Sequence, residues 1–211
     1  MKVLYISLII VIIDQVTKLC VKGFSLPHLK INFRGMYPGQ TIHLLGDWFN
    51  ITFVENPGIA FGIDFGGNYK LLISIFTIAA TTGLFLYFFY MKDKSRGMRL
   101  SLAFIIGGAV GNLIDRAFYG LLYGYAPFLH GMVVDFIDIR FFDFFVFSKT
   151  FGNYILNFAD LAVTAGVILL LFSYSRQTET SEMAGTPALS IEETEMDTNQ
   201  SSDNFLIENK D

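Results

Sequence analysis

Cysteine is almost absent from this 211-residue chain: Cys20 stands alone, which excludes an internal disulfide framework. Histidine is nearly as scarce, and His28, His43 and His130 have no metal-ligand spacing, so no metal centre and no cofactor is expected. Charged residues make up only 16% of the chain with a net charge of -4, and nucleic acid is not expected as a partner. There is no repeat of solenoid length. No small-x-small cleavage site follows the apolar opening Met1–Ile13, and Asp14-Gln15 interrupts that run, so an uncleaved first helix is expected rather than a signal peptide. Lys18-Leu19, not small residues, precede Cys20, which reads as a structural cysteine rather than a lipidation site.

What is present is apolar mass. Hydrophobic residues make up 53%, with 23 Phe, a composition that suits a membrane protein with aromatic anchors at the interfaces. About 20 residues of helix cross a hydrocarbon core, and four segments reach that length: 3–21, 71–91, 100–119 and 154–174. Lys92–Arg99, between the second and third, carries four bases and one acid, so it is expected on the cytoplasmic side, with both termini. Residues 1–175 thus read as one four-span membrane domain. The stretch 176–211, acidic and rich in Ser, Thr and Glu, reads as a disordered cytoplasmic tail. The expected fold is an α-helical integral membrane protein whose outer loops include a small β-rich part, Thr41–Leu45 pairing with Phe49–Glu55. A second outer loop, 132–147, is expected to lie in the interface.

Inside these apolar limits stand Asp14, Asp115, Arg116 and Asp160, and a charge at the bilayer centre costs roughly 2.5–3.5 kcal/mol. At 1.5 Å per residue, Asp14 lies about 10 Å, Asp115 and Arg116 about 6 Å, and Asp160 about 9 Å from the outer ends of their spans, one layer in the outer leaflet. Asn112 shares a face with Arg116, and Asn157 is expected to share a face of the fourth helix with Asp160. Asp14 with Lys18, and Asp115 with Arg116, also fit the alternative of helix-locking ion pairs. Gly107–Gly111 reads as a packing surface of small residues. Asp160, with no base on its own helix, is explained least by structure.

Carboxylates without metal, thiol or histidine suit aspartic hydrolysis, in which two acids share one proton. Asp160 then needs a partner from another element at the same depth. Asp135, between Val134 and Phe136, is the leading candidate, with Asp138 and Asp143 as competitors. A proton-coupled transporter built on buried carboxylates is the rival function.

Five blocks carry a resemblance: Asp14-Gln-Val-Thr-Lys18, Asn56-Pro-Gly-Ile-Ala-Phe-Gly62, Gly107 to Arg116, Val134-Asp-Phe136, and Asn157-Phe-Ala-Asp160. In this order, on four spans, the chain resembles lipoprotein signal peptidase (signal peptidase II) over residues 1–175. The resemblance implies a bacterial inner-membrane aspartyl endopeptidase that cuts prolipoproteins on the amino side of a diacylglyceryl-modified cysteine. It implies Asp135 and Asp160 as the catalytic pair, and Asn56, Asn112, Arg116 and Asn157 as substrate-binding residues. Asp14 and Asp115 take supporting roles, and Gly58 and Gly62 give freedom to a loop that closes over substrate. Lipid-modified prolipoproteins, membrane lipids and globomycin-type inhibitors are the implied partners. Leu156 where the family commonly has Phe, the long stretch 119–131 and the acidic tail depart from the pattern.

Overall fold

A computed structural model describes residues 2–58, 69–91, 95–146 and 149–184. Residues 1–173 form one compact unit and those from Tyr174 a second, of which the described part is helical. Four helices are long and apolar enough to cross a membrane: Leu4–Lys22, Tyr69–Tyr90, Arg96–Leu122 and Phe158–Ser175. We call them α1 (Leu4–Lys22), α2 (Tyr69–Tyr90), α3 (Arg96–Ile114) and, at the end of the chain, α5 (Phe158–Ala184). A π-helical turn, Asp115–Tyr119, joins α3 to the short α4 (Gly120–Leu122), so the third span runs on into the stretch expected to be a long loop. Ser95 caps α3 by accepting the Met98 N–H.

Large apolar side chains on the helix exteriors, among them Leu8, Ile12, Leu72, Phe76, Leu171 and Phe172, are exposed in the isolated chain. Such a surface needs an apolar solvent, and lipid supplies it. The inner seams are tighter. A Cβ on Gly107 would sit 2.9 Å from Ile10, and one on Gly108 would sit 2.3 Å from the Ala159 carbonyl oxygen. The glycine stretch is therefore the surface on which α1 and α5 close against α3, as its composition suggested.

Outside the spans lie two sheets. A hairpin of β1 (Gly23–Leu26) and β2 (Ile31–Arg34) follows α1 directly, through Gly23 at φ 79°. No such hairpin was expected. The second sheet is antiparallel and four-stranded, β3-β4-β5-β6. Thr41–Leu45 (β3) pairs with Phe49–Asn56 (β4), as the alternation predicts. The segment expected as an interfacial loop is strand β5 (Val133–Val146), paired with β4 on one side and β6 (Lys149–Leu156) on the other. The reason lies in its first half: Val133 to Asp138 are all buried, so both faces of the strand are covered and its backbone needs partners within the protein, which the sheet largely supplies.

The fourth span begins later than hydropathy indicates. Tyr154–Leu156 end β6, and the helix starts at Phe158. At its far end α5 continues through Ala184, nine residues into the stretch read as a disordered tail, while 185–211 lie outside the described residues.

Candidate active site

The late start of α5 changes how Asp160 is held. Asn157 and Asp160 do not share a helix face: Asn157 precedes the helix and Asp160 closes its first turn. The Asn157 Oδ1 accepts the Asp160 N–H at 3.0 Å, and the Asp160 Oδ2 accepts the Asn157 N–H at 3.2 Å. This reciprocal pair is a capping box, which satisfies two otherwise orphaned backbone donors. A third donor of the same turn, the Ala159 N–H, goes to Asp14 Oδ1 at 2.9 Å. Asp160 is thus fixed by the start of its helix rather than carried inside the span.

The Asn157 side chain then reaches across to β5 and donates to Asp135 Oδ1 at 2.6 Å. Asn56, at the end of β4, donates to Asp135 Oδ2 at 3.0 Å. Asn112 on α3 donates to Asp160 Oδ1 at 2.9 Å and accepts from Asn157 at 3.1 Å. Two carboxylates from a strand and a helix are therefore tied through three asparagines. Burial pushes Asp135 up from the ordinary 3.8 to about 7, the charge of Asp160 adds to the rise, and the Asn56 and Asn157 amides oppose it. An acid near neutrality beside a second carboxylate has the electrostatics of a proton-sharing pair.

Of the competing acids, Asp138 is held by other partners. Asp138 is buried but accepts from Thr52 and Arg140, each at 2.6 Å, and these bonds outweigh the upward push of its burial to hold it below the carboxylate range. The Asp143 side chain and Gly62 lie outside the described residues.

Asp14 and Asp115 belong to a neighbouring cluster. Lys18 Nζ, fully buried, bonds Asp14 at 2.9 Å, Asp115 at 2.7 Å and Asn112 at 2.8 Å, which uses all three ammonium donors. Asp115 is thus paired across helices with Lys18, not with its neighbour Arg116. It also accepts the Val134 N–H at 3.2 Å, anchoring β5 one residue from Asp135. Gly111 makes room for this cluster, since a Cβ there would stand 2.6 Å from Asp14 Oδ2.

Sequence reasoning missed two participants. Gln15 donates to Asp115 at 2.9 Å and to Asp14 at 3.2 Å, joining the two acids beneath Lys18. Lys22 pairs with Glu55 and lies 4.2 Å from the Tyr123 ring centroid and 5.1 Å from that of Tyr125. It pins the residue next to Asn56. Its position one turn after Lys18 is the signal that was available.

Arg116 sits within electrostatic reach of Asp115, Asp135 and Asp160. Its Nε is buried with no acceptor among the described residues, a donor left unused there. Gly58, at φ 95°, lies against it: a Cβ there would meet Arg116 Nη1 at 2.9 Å and Ile73 at 2.8 Å. Among the described residues no group of three or more His, Cys, Asp and Glu side chains is placed to hold a metal.

Known proteins resemble this chain in sequence and in fold. A family model described as signal peptidase (SPase) II matches residues 6–176. A lipoprotein signal peptidase of Chlorobium phaeobacteroides (strain BS1) is 31% identical over 169 residues, 80% of this chain and 92% of that protein. One from Moorella thermoacetica is 33% identical, covering 81% of this chain and 90% of its own length. A bacterial membrane enzyme solved by the in meso method at 1.9 Å superposes with a TM-score of 0.57 at 32% identity, over 82% of this chain and 92% of that one.

Proposed function

This chain belongs to the signal peptidase II family, and on that premise we propose that Asp135 and Asp160 are its catalytic dyad. It is a multi-pass bacterial membrane protein and an aspartic-type peptidase that removes signal peptides from prolipoproteins. The transporter alternative has no support among its relatives, which are named peptidases. The single observation that carries the dyad is Asn157, which bonds Asp135 through its amide while forming the capping box with Asp160.

In the proposed reaction one carboxylate takes a proton from a water as its oxygen attacks the scissile carbonyl. The other, protonated, donates to the carbonyl oxygen, giving a gem-diol. Collapse breaks the C–N bond as the amide nitrogen takes a proton and leaves as an amine. Arg116, with its unused donor, and the asparagines hold the substrate backbone, and Asp14 and Asp115 keep the two acid-bearing elements together. The substrate's acyl chains stay in lipid, and the cut falls on the amino side of the diacylglyceryl cysteine. The site lies towards the outer leaflet with both termini cytoplasmic, and globomycin-type peptides compete for it. The test is cleavage of a lipid-modified prolipoprotein by purified protein: Asp135→Asn and Asp160→Asn each fold and lose cleavage. Full activity in either variant removes that residue from the dyad.

A further inference from the structure

The opposite end of the bundle holds a feature that peptide hydrolysis does not use. A cavity of about 550 Å³ opens between the start of α1 and the start of α3, lined by Lys2, Val3, Ile6, Arg96, Arg99 and Leu100. Three of these are cations and three are apolar. The guanidinium carbon of Arg99 lies 5.4 Å from the Phe88 ring centroid, and its Nε is buried without an acceptor. Among the described residues no carboxylate pairs with Lys2, Arg96 or Arg99, although Asp14, Asp115, Asp138 and Glu55 are all paired elsewhere. The N-terminal end of a 19-residue helix adds its own partial positive charge at the same place.

Three positive charges gathered around one cleft repel one another, and a half-buried guanidinium without a counter-charge is costly to keep. An anion in the cleft removes both costs. A free phosphate ion gains nothing from Val3, Ile6 and Leu100. A phospholipid does, because its phosphate meets the cations at the mouth while its chain covers the apolar wall. We propose that this cleft binds one anionic phospholipid, its phosphate held by Lys2, Arg96 and Arg99. Basic pockets between spans at the cytoplasmic face are suited to such headgroups. Bound there, the lipid bridges α1 and α3, the two helices whose other ends carry Lys18 and Asn112.

Purified full-length protein in neutral detergent tests this, with phosphatidylglycerol, phosphatidylcholine and inorganic phosphate as probes, read by native mass spectrometry and thermal unfolding. Phosphatidylglycerol is expected to be retained and to raise Tm, while phosphatidylcholine and phosphate leave Tm unchanged. Each cation removed weakens phosphatidylglycerol binding roughly fivefold, so Arg99→Gln shows about that loss and Lys2→Gln with Arg96→Gln about 25-fold. The second variant changes exposed positions and decides the matter if Arg99→Gln does not fold. An equal Tm rise with inorganic phosphate makes this a free-anion site and overturns the lipid assignment. So does equal retention of phosphatidylcholine, or phosphatidylglycerol binding that neither variant weakens. The readout is independent of cleavage, so failure here leaves the peptidase reading standing.

Discussion

Asp135→Asn is expected to do more than abolish cleavage: it stabilises the fold at alkaline pH. Asp135 is 4% exposed, and burial with help from Asp160 moves it from the ordinary 3.8 to about 7. Between those values the folded chain keeps a proton that the unfolded chain gives up. The native state therefore binds more protons, and stability falls as pH rises through that window. At about 1.4 kcal/mol per pH unit, the interval amounts to a loss of roughly 4 kcal/mol, complete above about pH 7. Asparagine does not titrate, so the variant escapes the loss. It keeps the shape of the acid but turns an amide donor towards Asn56 or Asn157, an offset of about 1–3 kcal/mol that does not depend on pH. The diagnostic is therefore the slope of the difference, not its value at one pH.

Thermal unfolding of wild type and Asp135→Asn in the same detergent, from pH 4.5 to 8.5, measures it. Groups common to both proteins cancel in the difference. About 1 kcal/mol of that loss already lies below pH 4.5, so the variant is expected to gain on wild type by roughly 3 kcal/mol between the extremes, or about 6–12 °C in Tm for a chain of this size. In an Asp160→Asn background the gain shrinks, because the repelling charge is gone, but it does not vanish, because burial is the larger cause. A difference in Tm that stays flat with pH refutes the claim that Asp135 is held neutral in the fold.

Three further outcomes follow from the surrounding cluster. Lys18→Met leaves Asp14 and Asp115 buried with no cation, and is expected to cost about 3–5 kcal/mol in unfolding free energy; adding Asp115→Asn should recover part of it, and full stability of the single variant would show that the cluster is not ionised as drawn. Lys22→Met removes the Glu55 partner and the Tyr123 contact, and is expected to cost about 2–4 kcal/mol and to lower cleavage through Asn56; chemical denaturation and the cleavage assay read the two effects. Cleavage is expected to persist in excess chelator, and a loss that added zinc restores would sink the two-carboxylate mechanism.

The spans, the β3–β4 pairing and the packing role of Gly107–Gly111 were legible because each depends on local pattern: run length, alternation and residue size. The handover from β6 to α5 was not. Tyr154, Ile155 and Leu156 are apolar whether they form the end of a strand or the first turn of a spanning helix, so hydropathy extends the helix over them. A signal was present in Asn157-Phe-Ala-Asp160, since an N-cap residue followed three positions later by an acid marks a helix start. Given precedence over hydropathy, that signal marks the boundary at Phe158. The position of Lys22 one turn after Lys18 marked the residue but not its partners, and the pairing of Asp115 with Lys18 and of Lys22 with Tyr123 was out of reach, because each joins residues about a hundred positions apart and no local pattern states which of two neighbouring helices a charge faces.

The division of labour among the buried charges follows from counting donors. Lys18 is the nearest bonded cation to the site, yet two of its three protons go to Asp14 and Asp115, whose charges more than cancel its own before it reaches Asn112. What reaches Asp135 and Asp160 through hydrogen bonds is amide, from Asn56, Asn112 and Asn157. A lysine bonded straight to either acid would hold that acid ionised and strand the shared proton on the other. Neutral amides orient both carboxylates without fixing which one carries the proton. A proton-sharing pair needs that freedom, since each acid must give up and regain the proton within one turnover. Asp14 and Asp115 thus serve the dyad indirectly: they let a cation brace neighbouring elements while tempering its field, of which only a minor part still reaches Asp135.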